Sequence, residues 1–306
     1  MRKIYRVLAV ALCVCLLLSG CGGKVKDKLY VTATNFAEYD FARAVAGDLA
    51  EIELLIPAGT DVHSFEPTAR DILNIGKSDI FIFIGGESEE YLEQICDTAK
   101  GKNTAVLRLS DYVSLCEDEH SHGGHHHSHD EGYDEHIWLS PSNALTMISV
   151  ICSAFCTADP ENAAIYTANA EQYIIEIGHK AAETAEVVNN AKNKIIAVAD
   201  RNPYKYFTEY YGLEAVAAFS SCSADTDPPL GTVLKLIETV KENSLSAIFV
   251  TELGNRELAN TVANSTGAEI LTLNSYHNVS QEDFQSGVTY LELMEQNRQN
   301  LERGLN

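Results

Sequence analysis

A histidine-rich stretch from Cys116 to Pro141 carries most of the chemistry that the sequence offers. It reads CEDEHSHGGHHHSHDEGYDEHIWLSP and holds seven of the chain's ten histidines. Neutral imidazole is the commonest side-chain ligand for zinc and similar ions. The part from 117 to 135 mixes histidine with Asp, Glu and Gly and cannot bury an apolar core, so we expect a solvated loop there. Its histidines are predicted to bind metal weakly; they are His120, His122, His125, His126, His127 and His129.

The end of this stretch predicts a return to ordered structure at Asp134–Leu139. Ser140 and Pro141 are typical of a helix start, with Ser as the N-cap and Pro at the first helical position. His136 therefore lies at the mouth of an ordered element. A second histidine, His63, lies in the loop LIPAGTDVHSFEPT, which follows a predicted strand. Taken alone, a loop histidine such as His63 is more often a surface residue than a ligand, and the histidine-rich stretch could be a solvated polar insert or a fortuitous tag-like run.

The first 21 residues are typical of a bacterial lipoprotein signal peptide. Arg2, Lys3 and Arg6 precede a short apolar run, and the sequence Leu-Ser-Gly-Cys ends it at Cys21. Cleavage before Cys21 and lipid on its thiol would hold the protein at the extracytoplasmic face of the cell membrane. The alternative is a plain N-terminal anchor helix, although the run is short for a membrane span of about 20 residues. No later segment is predicted to cross a membrane.

The charge of the chain argues against nucleic acid as a partner. The formal net charge is -22, and it becomes -25 when the three basic residues of the leader are removed. Nucleic-acid binding needs a basic surface, which this chain does not supply. An acidic chain is compatible with a cation as its ligand.

The cysteines do not predict a disulfide scaffold. Of eight cysteines, two leave with the leader and Cys21 would carry lipid. The remaining five are Cys96, Cys116, Cys152, Cys156 and Cys222. The pair at 152 and 156 falls on a predicted apolar helix, where we expect packed small side chains rather than a metal site. The sequence leaves a Cys96–Cys116 bridge open.

Short β-rich runs alternate with amphipathic segments in both halves of the mature chain. This rhythm predicts an α/β protein of two (β/α) lobes with mainly parallel sheets. The predicted strands are Leu29–Thr34, Glu51–Ile56, Ile80–Ile84, Thr104–Leu107, Lys194–Val198, Ala215–Phe219, Ala247–Val250 and Glu269–Leu273. Ligands of open α/β sheets bind beyond the carboxyl ends of strands, so we expect the site in the cleft between the lobes.

One long helix is predicted between the lobes, because the segment from Asp159 to about Ala191 has a good N-cap and no internal proline. The predicted organisation is a signal peptide at 1–21, a first lobe at 22–158 that includes the loop 117–135, a linking helix at 159–191 and a second lobe at 192–306. A final helix is predicted over Gln281–Leu301, with Ser280 and Asp283 as a capping box.

The two histidine motifs resemble those of the zinc- and manganese-binding solute-binding lipoproteins of ABC transporters. LIPAGTDVHSFEPT is similar to the first ligand motif of that family, and DEHIWLSP is similar to the second. The resemblance covers nearly the whole mature chain and includes the Gly85-Gly86 turn and Tyr206-Phe207. It implies two lobes joined by one rigid helix, a metal buried between them and delivery to a membrane permease. On this resemblance His63 and His136 are metal ligands.

The second lobe departs from the family pattern at two positions. Arg201 stands where the family usually has a third ligand, and Asn274 stands at the position of its usual last ligand. A guanidinium has no free lone pair and keeps its charge. Arg201 is therefore expected to point away from the metal and to pair with an acid. The acids considered are Asp225, Asp227 and Glu252.

His277 is the expected replacement, because its segment 273–280 is similar to a branch of the family with a histidine here. Glu252, just after a predicted strand, is expected to complete a four-coordinate site with His63, His136 and His277. The alternatives are a capping role for His277, an ion pair with Arg201 for Glu252, and a water as the fourth ligand. Cys222 is the least favoured candidate.

These residues predict capture of a divalent transition metal, zinc first, and its delivery to an ABC permease by a monomer that catalyses no reaction. Three imidazoles and one carboxylate suit Zn²⁺, whereas Mn²⁺ prefers carboxylate-rich sites. A manganese-specific protein stays open as an alternative, and so does surface adhesion, which has been described for some family members. No HExxH or nucleophile-elbow motif supports a metalloenzyme. A chelate-binding or vitamin-binding protein would give no reason for the paired histidine motifs.

Overall fold

Two parallel four-stranded sheets, each covered by helices, form the framework of the molecule. The computed structural model describes residues 28–86, 89, 91–92, 95–96, 104–116, 133–220 and 228–306, without the side chain of His63. The strand orders are β2-β1-β3-β4 in the first sheet and β6-β5-β7-β8 in the second. The predicted fold class of two α/β lobes with parallel sheets is therefore confirmed.

The first lobe contains strands β1 to β4 and helices α1 to α3. Their bounds are β1 Leu29–Ala33, α1 Phe36–Ala46, β2 Ala50–Leu54, α2 Ala69–Ile75, β3 Ile80–Phe83, β4 Ala105–Arg108 and α3 Pro141–Ala158. Val31 of β1 pairs with Ile52 on one side and with Ile80 on the other. Apolar residues occupy these central positions because both faces of a parallel sheet are covered by other elements.

Helix α3 begins where the sequence predicts it. The side chain of Ser140 accepts the backbone N–H of Asn143, and Pro141 occupies the first helical position. This helix is long and apolar enough to cross a membrane by length and composition, which the sequence analysis did not anticipate. Its buried face packs into the first lobe through Met147, Ile148 and Ile151. A core helix of this kind passes the same test as a membrane span.

A single long helix follows. A short 3-10 turn at Pro160–Asn162 leads into α4, Ala163–Asn190, which has 28 residues and a length of about 42 Å. Asp159 accepts the hydroxyl of Tyr166 at 3.0 Å and so fixes the start of the helix. The long linking helix is therefore present, and it packs against α3 of the first lobe and the last helix of the second.

The second lobe repeats the β/α rhythm. Its elements are β5 Ile195–Arg201, α5 Lys205–Tyr211, β6 Glu214–Phe219, α6 Leu230–Glu242, β7 Ala247–Val250, α7 Arg256–Thr266, β8 Glu269–Thr272, α8 Gln281–Ser286 and α9 Tyr290–Gly304. All eight strands lie where the sequence predicts them, with ends that coincide or differ by at most three residues.

The prediction of one final helix over Gln281–Leu301 is wrong, because the segment forms two helices. Ser280 caps the first of them as expected, and its side chain accepts the N–H of Asp283. Gly287 then takes a φ of +80°, a left-handed conformation that favours glycine and ends the helix. Thr289 and Glu292 form a second capping box that starts α9.

The two lobes contact each other through the loop that follows β8. The carbonyl of His277 accepts the backbone N–H of Phe36 at 3.1 Å. The indole N–H of Trp138 donates to the carbonyl of Ser275 at 2.7 Å. Tyr206 of α5 reaches the other way and donates to the carbonyl of Asp134 at 2.8 Å. These buried bonds, together with α4, fix the position of one lobe against the other.

The cysteines agree with the expectation of packed thiols. Cys116 is a free thiol that donates to Glu209 Oε2 at 3.1 Å, so the Cys96–Cys116 bridge that the sequence left open is not formed. Cys152 and Cys156 have their sulfur atoms 4.0 Å apart on α3 and are both free thiols. Cys222 lies outside the described residues.

Candidate metal centre

A cavity of about 630 Å³ lies between the lobes, at the carboxyl ends of strands of the second sheet. Arg201 is the last residue of β5, and Glu252 follows β7 by two positions. His277 lies in the loop after β8 and also lines the cavity. From the first lobe, His136 and the turn Thr60–Val62 line it. The structure thus brings three of the four predicted ligands, His136, His277 and Glu252, to one cavity.

His136 is held by the carboxylate two residues before it. Asp134 Oδ1 accepts the backbone N–H of His136 at 2.9 Å and lies 3.0 Å from Nδ1 of its ring. The ring is 1% exposed, and it precedes the short 3-10 turn Ile137–Leu139 that leads to α3. A carboxylate on Nδ1 favours the tautomer that keeps the lone pair of Nε2 available, which is the usual arrangement around a ligating histidine.

The electrostatics of this pair follow from its geometry. Burial alone would lower the pKa of His136, but the charge and hydrogen bond of Asp134 outweigh it and raise that pKa above its ordinary value. Burial alone would raise the pKa of Asp134, but His136 outweighs it and lowers that pKa. Both shifts describe one buried pair that stabilises positive charge on the imidazole. The same carboxylate would stabilise a cation bound to Nε2.

The turn Gly85-Gly86 gives Glu135 the space to pack beside this histidine. Gly86 has a φ of +131°, and a Cβ there would lie 2.5 Å from Glu135 Oε1. A side chain at position 86 would therefore displace the carboxyl group of Glu135, and the positive φ would strain its backbone. Glu135 is 5% exposed, so this acid faces protein rather than solvent.

His277 faces His136 across the cavity. The centroids of the two imidazole rings are 5.1 Å apart, and His277 is 8% exposed. The ring of Trp138 lies 4.8 Å from His277 and 5.3 Å from His136, so one indole packs against both imidazoles. Because Trp138 is the chain's single tryptophan, its fluorescence is a natural reporter of this site.

An unusual backbone conformation directs His277 into the cavity. Tyr276 has a φ of +57°, which is rare for a bulky residue. Its hydroxyl accepts an N–H from Asn297 at 2.8 Å, and its ring packs 4.4 Å from that of Tyr290. These two contacts with α9 hold a turn that the residue would otherwise avoid.

Glu252 is also held by the loop that carries His277. Its two carboxylate oxygens accept the backbone N–H and the hydroxyl of Ser275, each at 2.7 Å. Burial raises the pKa of Glu252, while the bonds from Ser275 and the backbone N–H of Asn278 act against that rise. The residue keeps part of its surface open to the cavity, so a free lone pair on either oxygen could face a metal ion.

Arg201 pairs across the cleft with a residue that the sequence analysis did not consider. Its guanidinium lies 3.2 Å from Asp61 Oδ2 of the first lobe. The expected acids were Asp225, Asp227 and Glu252, of which the first two lie outside the described residues. The reason for the difference is the close approach of the 57–64 loop, which brings Asp61 to the end of β5.

Asn274, at the position where the family usually has its last ligand, points to α9. Its amide donates to Asn297 Oδ1 at 3.0 Å and to Gln296 Oε1 at 3.3 Å. The residue is 5% exposed and is engaged in this buried network. The structure gives it a packing role between β8 and the last helix.

Several predicted residues lie where the structure gives no description. The backbone of His63 forms part of the 3-10 turn Val62–Ser64, but its side chain lies outside what is described. Cys21 and Cys222 also lie outside the described residues, and so do the six weak-site histidines at 120, 122, 125–127 and 129. Among the side chains that are described, no three of His, Cys, Asp and Glu lie close enough together to hold a metal ion.

Sequence reasoning missed the residues that hold the predicted ligands. Asp134 could have been found, because a carboxylate two positions before a candidate ligand is a familiar partner of a ligating histidine. Trp138, Ser275 and Asp61 gave no such signal, since their contacts join distant parts of the chain.

The chain is similar to proteins that are named for zinc binding and zinc uptake. The profile of the family described as "Zinc-uptake complex component A periplasmic" (ZnuA) matches residues 31–304. The zinc-binding lipoprotein AdcA of Streptococcus pneumoniae (strain ATCC BAA-255 / R6) is 32% identical over 306 residues, which cover 97% of this chain and 60% of AdcA. The high-affinity zinc uptake system protein ZnuA of Bacillus subtilis (strain 168) is 30% identical over 314 residues, covering 97% of this chain and 96% of that protein.

The fold of the chain is similar to that of a solved structure of one of these relatives. The Zn(II)-bound ZnuA-like domain of Streptococcus pneumoniae AdcA superposes with a TM-score of 0.76 at 29% identity, covering 91% of this chain and 99% of that domain. The chain spans about 60% of the length of the AdcA relatives. With a family match that covers nearly all of the described residues and a fold shared with the ZnuA-like domain, the chain belongs to the ZnuA family of zinc-uptake component A proteins.

Proposed function

We propose that this protein captures Zn²⁺ outside the cytoplasm and delivers it to the permease of an ABC transporter. One observation carries the proposal: two buried imidazoles, His136 and His277, face each other 5.1 Å apart from opposite lobes. Two imidazoles at this spacing can share one metal ion, since each zinc–nitrogen bond is about 2.0–2.1 Å long. Asp134 holds the ring of His136 in advance of binding, and Phe36 and Ser275 hold the backbone of His277.

The proposed ligand set is His63, His136, His277 and Glu252. Binding would have to draw the described members closer together, since His136, His277 and Glu252 do not yet lie close enough to hold an ion. The first two come from the first lobe and the last two from the second, so a bound ion would join the lobes. The backbone of His63 follows directly on the turn Thr60–Val62 that lines the cavity, which supports its assignment. Three imidazoles and one carboxylate form a four-coordinate set of the kind that Zn²⁺ prefers.

Arg201 and Asp134 would act around this set without binding the metal. Asp134 orients His136, as described above. The guanidinium of Arg201 is paired with Asp61 at the cavity wall, and the carboxylate offsets part of its positive charge there. Asp225 is proposed as a further partner of Arg201.

The proposal is one of binding and release without catalysis. All four proposed ligands are protein side chains, and a filled four-coordinate shell leaves no open position for a substrate or an activated water. The printed names of the relatives, a zinc-binding lipoprotein and a zinc uptake system protein, support zinc as the cargo over manganese.

The sequence ending at Cys21 supports a lipid-anchored position on the extracytoplasmic face of the cell membrane. Of the predicted organisation, we retain a first lobe at 22–158, a linking helix at 159–191 and a second lobe at 192–306. The protein is proposed to act as a monomer, with the membrane permease as its partner.

A competition titration tests this function directly. The purified mature chain is titrated with Zn²⁺ and Mn²⁺ in the presence of a chelator, and occupancy is followed through the fluorescence of Trp138. We expect one tight zinc equivalent and weaker manganese binding. Uptake by metal-limited cells with and without the protein tests delivery. Tighter binding of manganese together with restored manganese uptake would show that the cargo is misassigned.

A further inference from the structure

Asn278, next to the proposed ligand His277, holds a turn of the opposite lobe. Its side-chain amide donates to the carbonyl of Pro57 at 3.0 Å and to that of Thr60 at 2.9 Å. Its Oδ1 accepts the backbone N–H of Val279 at 2.8 Å. Both amide protons and the amide oxygen are thus engaged, and the residue is 3% exposed.

A third bond completes this contact. The backbone N–H of Gly59 donates to the carbonyl of Val279 at 2.7 Å, so residues 278 and 279 together hold the turn 57–60 by three hydrogen bonds. Gly59 has a φ of +79°, a conformation that glycine adopts without strain. The turn therefore has one definite shape, fixed from the second lobe.

The turn needs this support because it belongs to a long connection. Between the end of β2 at Leu54 and the start of α2 at Ala69, the chain forms only the short 3-10 turn Val62–Ser64. Pro57, Gly59 and Asp61 are exposed. Long connections with few contacts of their own are mobile unless they are tied down. His63, a proposed ligand, lies three residues beyond the held turn.

The same residue also contacts the second-lobe side of the site. The backbone N–H of Asn278 faces the carboxylate of Glu252, and its peptide nitrogen is joined directly to His277. Asn278 therefore touches or adjoins elements that carry three of the four proposed ligands. The side chain of Asn278 makes two of the three hydrogen bonds that set the turn 57–60 against the loop carrying His277.

We propose that Asn278 is a positioning residue that presets the 57–64 loop, and with it His63, for metal capture. This inference rests on the proposed function and deepens it. Without the two amide bonds, the loop must become ordered when the metal binds, and the lost conformational freedom weakens binding. Outer-shell partners of metal ligands typically change affinity by about 10–100-fold when they are mutated, and we expect an effect in that range.

The test is Asn278→Leu, which keeps the branched shape of the side chain but removes both donors. Asn300→Leu is the matched control, because the amide of Asn300 donates to the carbonyl of Thr272 at 2.8 Å within the second lobe and away from the cavity. We expect zinc affinity to fall about 10–100-fold in the first variant and to stay unchanged in the second. Asn278→Ser, whose hydroxyl is too short to reach both carbonyls, carries the test if the leucine variant does not fold.

Two readouts separate positioning from a general loss of structure. In the metal-free protein, hydrogen exchange should accelerate at residues 59–64 and stay unchanged in β1 and β2. In a His63→Ala background, Asn278→Leu should cost less than about threefold in zinc affinity, because the ligand that it positions is already gone. If Asn278→Leu lowers zinc affinity as much in the His63→Ala background as in the parent, Asn278 does not act through His63.

The outcomes also separate this inference from the proposed function. Absence of tight zinc binding by the parent chain would overturn both. Tight binding by the parent with unchanged affinity in a folded Asn278→Leu variant would overturn only the positioning role. The exchange measurement needs no metal, and unchanged exchange at 59–64 would likewise contradict the role of Asn278 in holding the loop.

Discussion

Asp134 contacts His136 twice, through one carboxylate oxygen that accepts the backbone N–H at 2.9 Å and lies 3.0 Å from Nδ1 of the ring. Two contacts from one atom fix both the backbone and the ring of the histidine. The adjacent Trp138 ring restricts the imidazole further, at 5.3 Å between centroids. The imidazole is therefore oriented before any metal arrives, and little conformational freedom is left to lose on binding.

Replacing Asp134 with Asn should weaken zinc binding by about 10–100-fold, because the neutral amide orients His136 less firmly and stabilises less positive charge. Asp159→Asn is the control, since Asp159 is also a buried acid that accepts two side-chain hydrogen bonds, but at the start of α4. Zinc affinity is measured by chelator competition, and thermal unfolding checks stability. Equal zinc affinities for Asp134→Asn and the parent would show that the pair serves folding alone.

His277→Ala should reduce zinc affinity by more than about 100-fold, which exceeds the effect expected for an outer partner. The physical reason is the loss of one of four ligands, which leaves an incomplete shell. His63→Ala and His136→Ala should behave in the same way. His179→Ala is the control, because His179 is exposed on α4. If His277→Ala binds zinc like the parent, the ligand from the second lobe has to be sought elsewhere.

The positions of the strands could be predicted from the sequence because most are short apolar runs between turn residues, and β2 alternates apolar and acidic residues as AEIEL. The start of α3 was also visible, since a Ser-Pro pair before an apolar helix is a local signal. The break at Gly287 was visible in principle: a glycine followed by Thr289 and Glu292 is a stop and a new start. The prediction of a single helix considered only the earlier start signal at Ser280 and Asp283 and carried that helix through the break.

The contacts around the site could not be predicted, because they join residues far apart in the sequence. Arg201 and Asp61 are 140 positions apart, and Trp138 and Ser275 are 137 apart. No local propensity specifies such a pair. They arise only once α4 has set one lobe against the other, so the sequence pointed to three residues at the cavity and not to the bonds that hold them.

Arg201→Gln should leave zinc affinity equal to that of the parent or slightly higher. Arg201 is 25% exposed and Asp61 is 47% exposed, so their ion pair contributes at most about 1 kcal/mol. Removing a cation from the cavity wall also reduces repulsion of a bound dication, most clearly at low salt. Arg303→Gln is the control, because Arg303 forms an exposed pair with Glu269 away from the cavity. A tenfold loss of zinc affinity in Arg201→Gln, with no loss in Arg303→Gln, would show that Arg201 supports metal binding.

Deleting Glu117–Glu131 should keep one tight zinc equivalent and remove additional weak ones. The stem of this tract is fixed: the N–H of Asp134 donates to the carbonyl of Cys116 at 3.0 Å. The hydroxyl of Tyr206 donates to the carbonyl of Asp134 and accepts the N–H of Cys116. A histidine loop must lose about 1–2 kcal/mol per ordered residue to bind firmly, so its sites should be weaker than the cavity.

The deletion should also slow zinc acquisition when zinc is scarce, because the tract's acids raise the local cation concentration. Metal binding by the tract should weaken below about pH 6.5, where histidine gains its proton. The measurement is a titration with resolved stoichiometry, with a tract of equal length in which the six histidines are replaced by Ser as the control. Loss of the tight equivalent would show that the tract builds the main site.

A buried acid in the first lobe should make the metal-free protein less stable as pH rises. Burial raises the pKa of Glu89 to about 7, and Glu135 adds to the rise, while the N–H groups of Gly85 and Ile84 act against it. Between about pH 4.5 and pH 7, Glu89 therefore keeps its proton in the folded chain, whereas in the unfolded chain it has already released it. The contribution of Glu89 to the free energy of unfolding is therefore greatest below about pH 4.5 and is lost as the pH rises through about 7.

Glu89→Gln should remove this loss, because an amide has no proton to release and its oxygen can still accept the bonds from Ile84 and Gly85. The free energy of unfolding is measured with urea at pH 5, 6, 7 and 8 in the presence of a chelator. From pH 5 to pH 8, the free energy of unfolding of the variant should rise relative to that of the parent by up to about 3 kcal/mol, since each pKa unit corresponds to about 1.4 kcal/mol. Glu242→Gln, an exposed acid at the end of α6, is the control and should follow the parent at every pH. Parallel pH profiles for Glu89→Gln and the parent would show that Glu89 is ionised throughout this range.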